Sequence, residues 1–190
     1  MRFLKGNEEE RLAERLRNGD GDAMREFYSL YGGHLAKVCT RYIADSEDVK
    51  DVFQDSLIRI FSRAKDFTYR GSGSLLAWAT KLAVNESLKF LQARKRHELI
   101  LLTHDVPDEP EEEDPSVSDL PPEVFHRIVR ELPTGYRTVF NLYVFEEKSH
   151  QEIADLLGIK KDTSSSQFSR AKKLIAKKIR EYYNSKRDPR

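Results

Sequence analysis

Six side chains near the C-terminus are of types that could act together on a nucleic acid. At about 100° per residue on a helix, Thr163, Ser166, Ser169, Arg170, Lys173 and Lys177 gather on one side. Small hydroxyls permit close approach to base edges and the cations neutralise phosphates, a combination suited to a helix in a DNA major groove. The other side carries Ser164, Phe168, Ala171 and Ile175, with Leu174 alongside, at the spacing of a core-facing stripe. An ordinary basic surface helix is the plainer reading of the same charges. A second set lies in residues 67–74, Phe-Thr-Tyr-Arg-Gly-Ser-Gly-Ser, which unite stacking rings, a cation and hydroxyls in the composition of a loop that holds single-stranded DNA. Catalytic chemistry has no comparable signature. The five histidines (34, 97, 104, 126 and 150) are scattered, no Gly-rich phosphate loop occurs, and no nucleophile stands beside an evident base. Cys39 is the single cysteine, which excludes an internal disulfide framework and a Cys-based zinc site. No catalytic residue, metal or cofactor is expected.

The elements that must position these groups are helical. Ser149 stands three residues before Glu152, the spacing of a capping box, and Ile153, Ala154, Leu156 and Leu157 supply an apolar face. Gly158 then ends a first helix, and the basic helix follows a short turn, making a helix-turn-helix. Upstream, Leu12 and Leu16 mark a short helix that stops at Gly19-Asp20-Gly21, and Asp22 is placed to cap the next. Phe27, Leu30, Tyr31, Leu35, Val38, Cys39, Tyr42 and Ile43 recur at helical spacing around Gly32 and Gly33, which predicts a helix pair or a kinked helix. Residues 45–48 open an amphipathic helix whose core stripe is Val49, Val52, Phe53, Leu57, Ile60 and Phe61. Its outward side holds Asp51, Gln54, Asp55, Ile58, Arg59 and Ser62, where Ile58 is either a docking residue or a stray apolar group on a solvated face. Ser72 or Ser74 can cap a long helix carrying Leu75, Trp78, Ala79, Leu82 and Ala83, with Trp78 readable as core or as facing DNA.

At 190 residues with 38% hydrophobic content, two small helical domains fit better than one large core. Residues 104–122 hold five prolines and, with the nearby sequence, a belt of Asp and Glu without a Lys or Arg, a composition that cannot build a core. The expected fold is therefore all-α, with helical domains over 1–97 and 123–190 joined by an acidic, Pro-containing linker over 98–122. The linker's carboxylates lack the Gly and ligand spacing of a calcium loop. Net charge is +1, but residues 160–190 carry eleven Lys or Arg against three acids, an asymmetry that points to a nucleic-acid partner. No run of about eighteen apolar residues occurs and the first residues lack a secretory core, so a cytoplasmic protein without membrane insertion is expected.

Taken in order, the segments resemble bacterial RNA polymerase sigma factors of the extracytoplasmic function (ECF) type, of the sigma-70 family. Residues 45–55 (Asp-Ser-Glu-Asp-Val-Lys-Asp-Val-Phe-Gln-Asp) look like the family's acidic polymerase-docking helix, residues 67–96 like its minus-ten segment, and residues 132–178 like its minus-thirty-five region. The resemblance implies that Asp51, Gln54, Asp55 and Ile58 bind core RNA polymerase. It likewise implies that Phe67, Tyr69, Arg70, Trp78, Lys81 and Asn85 handle the melted minus-ten strand, while Thr163, Ser165, Ser166, Gln167, Ser169, Arg170 and Lys173 read the minus-thirty-five duplex. An anti-sigma factor is the further implied partner. One departure is visible: Thr163 is followed by Ser-Ser-Ser-Gln where the family has an apolar residue and then basic ones, so base preference is expected to differ. The competing reading is a helix-turn-helix regulator with an N-terminal sensing or dimerising domain.

Overall fold

The computed structural model describes residues 6–94 and 120–187. It is all-α over those residues: eight α-helices and one 3-10 turn, with no strand. The chain falls into two compact units, Met1–Arg94 and Lys95–Arg190. Most of the expected linker lies outside the described residues.

In the first unit, α1 (Gly6–Arg17), α2 (Gly21–Tyr42), α3 (Ser46–Arg63) and α4 (Ser74–Arg94) are joined by short connections, with a 3-10 turn, Ala64–Asp66, after α3. The helix starts follow from capping chemistry. Asp20, rather than the expected Asp22, caps α2: its carboxylate accepts the N–H groups of Asp22 (2.8 Å) and Ala23 (3.3 Å). Asp22 falls in the first turn, where its charge meets the positive end of the helix. Asp45 caps α3 in the same way, accepting from Glu47 (2.9 Å) and Asp48 (3.0 Å). α2 runs unbroken through Gly32 and Gly33, where the sequence predicts a pair or a kink.

α2, α3 and α4 pack on one another, and α1 packs on α2 and the 3-10 turn. Phe27, Tyr31, Leu35, Val38 and Tyr42 of α2, Val52 and Ile60 of α3, and Leu75, Ala79 and Ala83 of α4 form the centre. Phe27 meets Tyr31 and Phe61 edge-on at 5.2 and 5.7 Å. Ser56 and Ser87 are also fully buried, and each hydroxyl donates to its own helix, to the carbonyls of Val52 (2.6 Å) and Ala83 (2.8 Å). Their small size lets the three helices approach. Cys39 lies beside Ser56, a core residue as expected, and burial pushes its thiol pKa up.

The second unit comprises α5 (Pro122–Arg130), α6 (Thr134–Val144), α7 (His150–Leu157) and α8 (Lys161–Arg187). Ile128 and Val129 of α5, Tyr136 and Phe140 of α6, and Ala171, Ile175 and Ile179 of α8 share one core with Leu132 and Leu120. Leu120 and the helical Pro122 fall inside the expected linker, so packed structure reaches further toward the N-terminus than the proline pattern suggests. Pro122 needs no partner for the N–H it lacks at a helix start. Arg137 is buried, donating Nη1–H to the carbonyls of Arg130 (2.7 Å) and Leu132 (3.1 Å) and so closing the end of α5. Burial, with Arg130 nearby, pulls its pKa down to about 10.

Candidate nucleic-acid interfaces

α7 and α8 meet through the three residues 158–160. The expected capping box is present: the Glu152 N–H donates to Ser149 Oγ (3.3 Å) and the Ser149 N–H to Glu152 Oε2 (2.9 Å). Gly158 takes the left-handed conformation at φ 67°, which a side chain would strain, and α7 stops there. On α8, Ser165, Ser166, Ser169 and Lys173 are exposed, and Thr163 and Arg170 are half-buried along one edge of that face. Ser166 spends its hydroxyl proton on the Thr163 carbonyl (3.1 Å), leaving the oxygen as an acceptor toward the outside.

Gln167 corrects the expectation. It is 4% exposed and lies against Gly135 of α6, where an added Cβ would stand 3.4 Å from Gln167 Oε1. Four residues before Ala171, it belongs to the core stripe and presents nothing to a groove. Ser164, next after Thr163 in the serine run, is fully buried and pairs with His150 Nδ1 at 3.0 Å. His150 in turn stacks on Tyr143 (4.7 Å), whose ring also meets Phe168 (4.3 Å). The serine run is thus split: two exposed hydroxyls, and one partnered under the helix.

In the first unit, Asp51, Gln54, Asp55 and Ile58 are exposed on one side of α3, and Ile58 keeps 66% of its surface open. Neighbouring charges are engaged elsewhere: Lys50 with Glu47, Arg59 with Glu86, and Arg94 with Asp48. The loop after α3 needs two left-handed glycines, Gly71 (φ 114°) and Gly73 (φ 87°). Arg70 is exposed, with its backbone N–H on Ser74 Oγ (3.2 Å), and Tyr69 is half-buried. Burial raises the Tyr69 pKa, with lesser contributions from Glu9 and Glu10. Phe67 is a second correction, because it is 6% exposed and packs under Trp78 at 5.0 Å, so it supports the surface and offers no free face for a base. Trp78 is half-buried, resting on Phe67 while keeping accessible surface. Trp78, Lys81 and Asn85 recur three and four residues apart along one line of α4, each with accessible surface.

Residues 27–97 match Sigma-70 region 2, and residues 123–175 match Sigma-70, region 4. The chain is 33% identical over 182 residues to the ECF RNA polymerase sigma-E factor of Haemophilus influenzae, covering 88% of this chain and 93% of that one. The chain belongs to the ECF sigma factor family. It is also 24% identical to the RNA polymerase sigma-H factor of Pseudomonas aeruginosa, over 93% of this chain and 96% of that one. Among solved structures, CnrH in complex with the cytosolic domain of CnrY is similar at 20% identity and a TM-score of 0.47, over 90% of this chain and 96% of that one. As a sigma factor, the protein directs RNA polymerase to promoters. No described helix is long and apolar enough to cross a membrane.

One residue of this sigma factor escapes a reading of motifs. Glu9 of α1 is only 2% exposed, and its carboxylate accepts the N–H groups of Gly73 (2.6 Å) and Leu75 (2.7 Å) at the start of α4. The available signal was its position: three residues before Leu12 and seven before Leu16, it is an acid on an apolar stripe.

Proposed function

We propose that residues 1–97 dock on core polymerase through Asp51, Gln54, Asp55 and Ile58 and capture the melted minus-ten strand with Tyr69, Arg70, Trp78, Lys81 and Asn85. Residues 123–190 read the minus-thirty-five duplex through Thr163, Ser165, Ser166, Ser169, Arg170 and Lys173, and residues 98–122 link the two. The observation that carries the strand-capture reading is the line of Trp78, Lys81 and Asn85 on α4, beginning one turn after the exposed Arg70 loop and lying within the region 2 match. A ring, a cation and an amide in a row are what an unstacked strand needs. Leaving the stack costs a few kcal/mol, and stacking on an aromatic ring returns about 1 to 3 kcal/mol per base. Asn85 can donate to and accept from a base edge at once. An anti-sigma protein that covers the α3 face would keep the chain off polymerase; the exposed Ile58 among carboxylates supports a protein partner there. Action in the cytoplasm goes with this reading.

The test uses holoenzyme assembled from core polymerase and the full chain. Asn85→Ala and Trp78→Ala should each leave core affinity unchanged. They should weaken capture of a single-stranded minus-ten oligonucleotide about tenfold in fluorescence anisotropy, equivalent to about 1.4 kcal/mol. Open-complex formation, read by permanganate footprinting, should slow in parallel. Wild-type capture and footprints in both variants would reduce this line of α4 to packing.

A further inference from the structure

We propose that Glu9 is a positioning residue for strand capture, its buried carboxylate fastening the Arg70 loop and the first turn of α4 in the geometry that presents Trp78, Lys81 and Asn85. The inference rests on the strand-capture reading above and deepens it, bringing α1 into an apparatus whose family match begins only at residue 27.

The carboxylate is placed for this task. A helix start leaves its first N–H groups without acceptors inside the helix, and at α4 the Ser74 N–H goes to the Gly71 carbonyl (3.1 Å). Glu9 supplies the missing acceptors from a different helix, one oxygen to Gly73 and the other to Leu75, both at charge-assisted lengths. The two bonds straddle Ser74, whose Oγ receives the Arg70 N–H, so the carboxylate, the helix start and the Arg70 backbone form one connected set. Between them lie Gly71 and Gly73 in left-handed conformations, positions where the chain is otherwise free to take other paths. Behind the larger effect of burial, the same carboxylate raises the pKa of Tyr31 and of Tyr69, the latter a member of the proposed surface. A buried carboxylate is costly unless it is hydrogen-bonded. A packing role alone would have been filled by a leucine at this point of the stripe, as it is at Leu12 and Leu16.

Glu9→Gln tests this with little change of shape. A carboxamide keeps one acceptor oxygen but turns an NH₂ group toward an N–H donor, so one of the two bonds is lost. In holoenzyme, capture of the minus-ten oligonucleotide should weaken about tenfold, the effect of one charge-assisted hydrogen bond. Core affinity and duplex binding at the minus-thirty-five site should stay at wild-type levels. In the free chain, the amide proton resonances of Gly73 and Leu75 should move upfield and exchange faster, a signature that a general loss of packing would not confine to those two residues. Glu9→Asp, which keeps the charge on a shorter stem, should recover part of the capture and not the full wild-type value.

Wild-type capture by Glu9→Gln, with Asn85→Ala impaired, overturns the positioning role and leaves the strand-capture reading standing. Equal loss of core affinity and capture, with amide changes spread through the first unit, overturns it in favour of a purely structural role. If neither Asn85→Ala nor Glu9→Gln alters capture, the reading and the inference fall together.

Discussion

Asp55 stands between Asp51 and Ile58 on the exposed side of α3, where a carboxylate beside an open apolar group is suited to a basic partner surface. Asp55→Arg reverses one charge without touching the core stripe, so the helix should persist while affinity for core polymerase falls by on the order of 2 kcal/mol. Competition against labelled wild-type chain for a limiting amount of core polymerase measures this, and undiminished competition would remove Asp55 from the docking surface. Single residues also show where sequence reading stops. That Asp51, Gln54, Asp55 and Ile58 stand exposed was legible, because their outward side follows from the apolar stripe opposite. The burial of Phe67 and Gln167 was not, because a ring in a loop and an amide at a stripe's edge take it from distant partners, Trp78 and Gly135.

At the scale of the element, α7 is the clearest case of local determination. Its capping box and its Gly158 stop depend on residues within one turn of each end, and both are visible in the chain. The Glu152 carboxyl is held down to about 2, from 4.5, by the Ser149 backbone N–H first, then the Ser149 hydroxyl and Lys148. A depressed folded pKa means that its stabilisation is present above about 4.5 and is lost as pH falls through 2. Ser149→Ala should lower stability by about 1 kcal/mol at neutral pH. It should also flatten the acid loss of stability across that window, read by thermal melts followed by circular dichroism at pH 7 and at successive acid values. A variant with the wild-type acid profile would show that the Ser149 hydroxyl contributes nothing there, the backbone N–H being kept by alanine. α2 teaches the opposite lesson. Two glycines in a helix interior cost about 1 kcal/mol each, whereas burying Phe27, Tyr31 and Leu35 returns about 1.5 to 3 kcal/mol apiece, so tertiary burial carries the helix through a break that propensity suggests. The start of α4 is likewise set at long range, by a residue 64 positions before Gly73, beyond what any window of sequence can show.

Over the whole molecule, a net charge of +1 conceals a basic C-terminal stretch, and the salt response should expose it. Duplex affinity should fall linearly in log–log terms as salt rises, and Lys173→Ala should lower the slope by about 1 while weakening all duplexes alike. Arg170→Ala should instead cost about 1 to 3 kcal/mol on promoter duplex alone if its contact is bidentate to a base. Anisotropy titrations with promoter and scrambled duplexes at several salt concentrations separate the two, and an unchanged slope in Lys173→Ala would exclude it as a phosphate contact. The division into two helical units was legible from proline and charge, yet Leu120 shows that composition overstates a linker when one apolar residue at its end reaches a core. The chain also has a single tryptophan, Trp78, seated half-open on the Phe67 ring. Grown on fluorotryptophan, the protein would carry one fluorine nucleus, and its lone resonance would come from the spot where the melted strand is proposed to arrive. Mixed with unlabelled polymerase, that line should shift when a minus-ten oligonucleotide binds and hold still for a minus-thirty-five duplex, giving promoter opening an intrinsic spectroscopic clock.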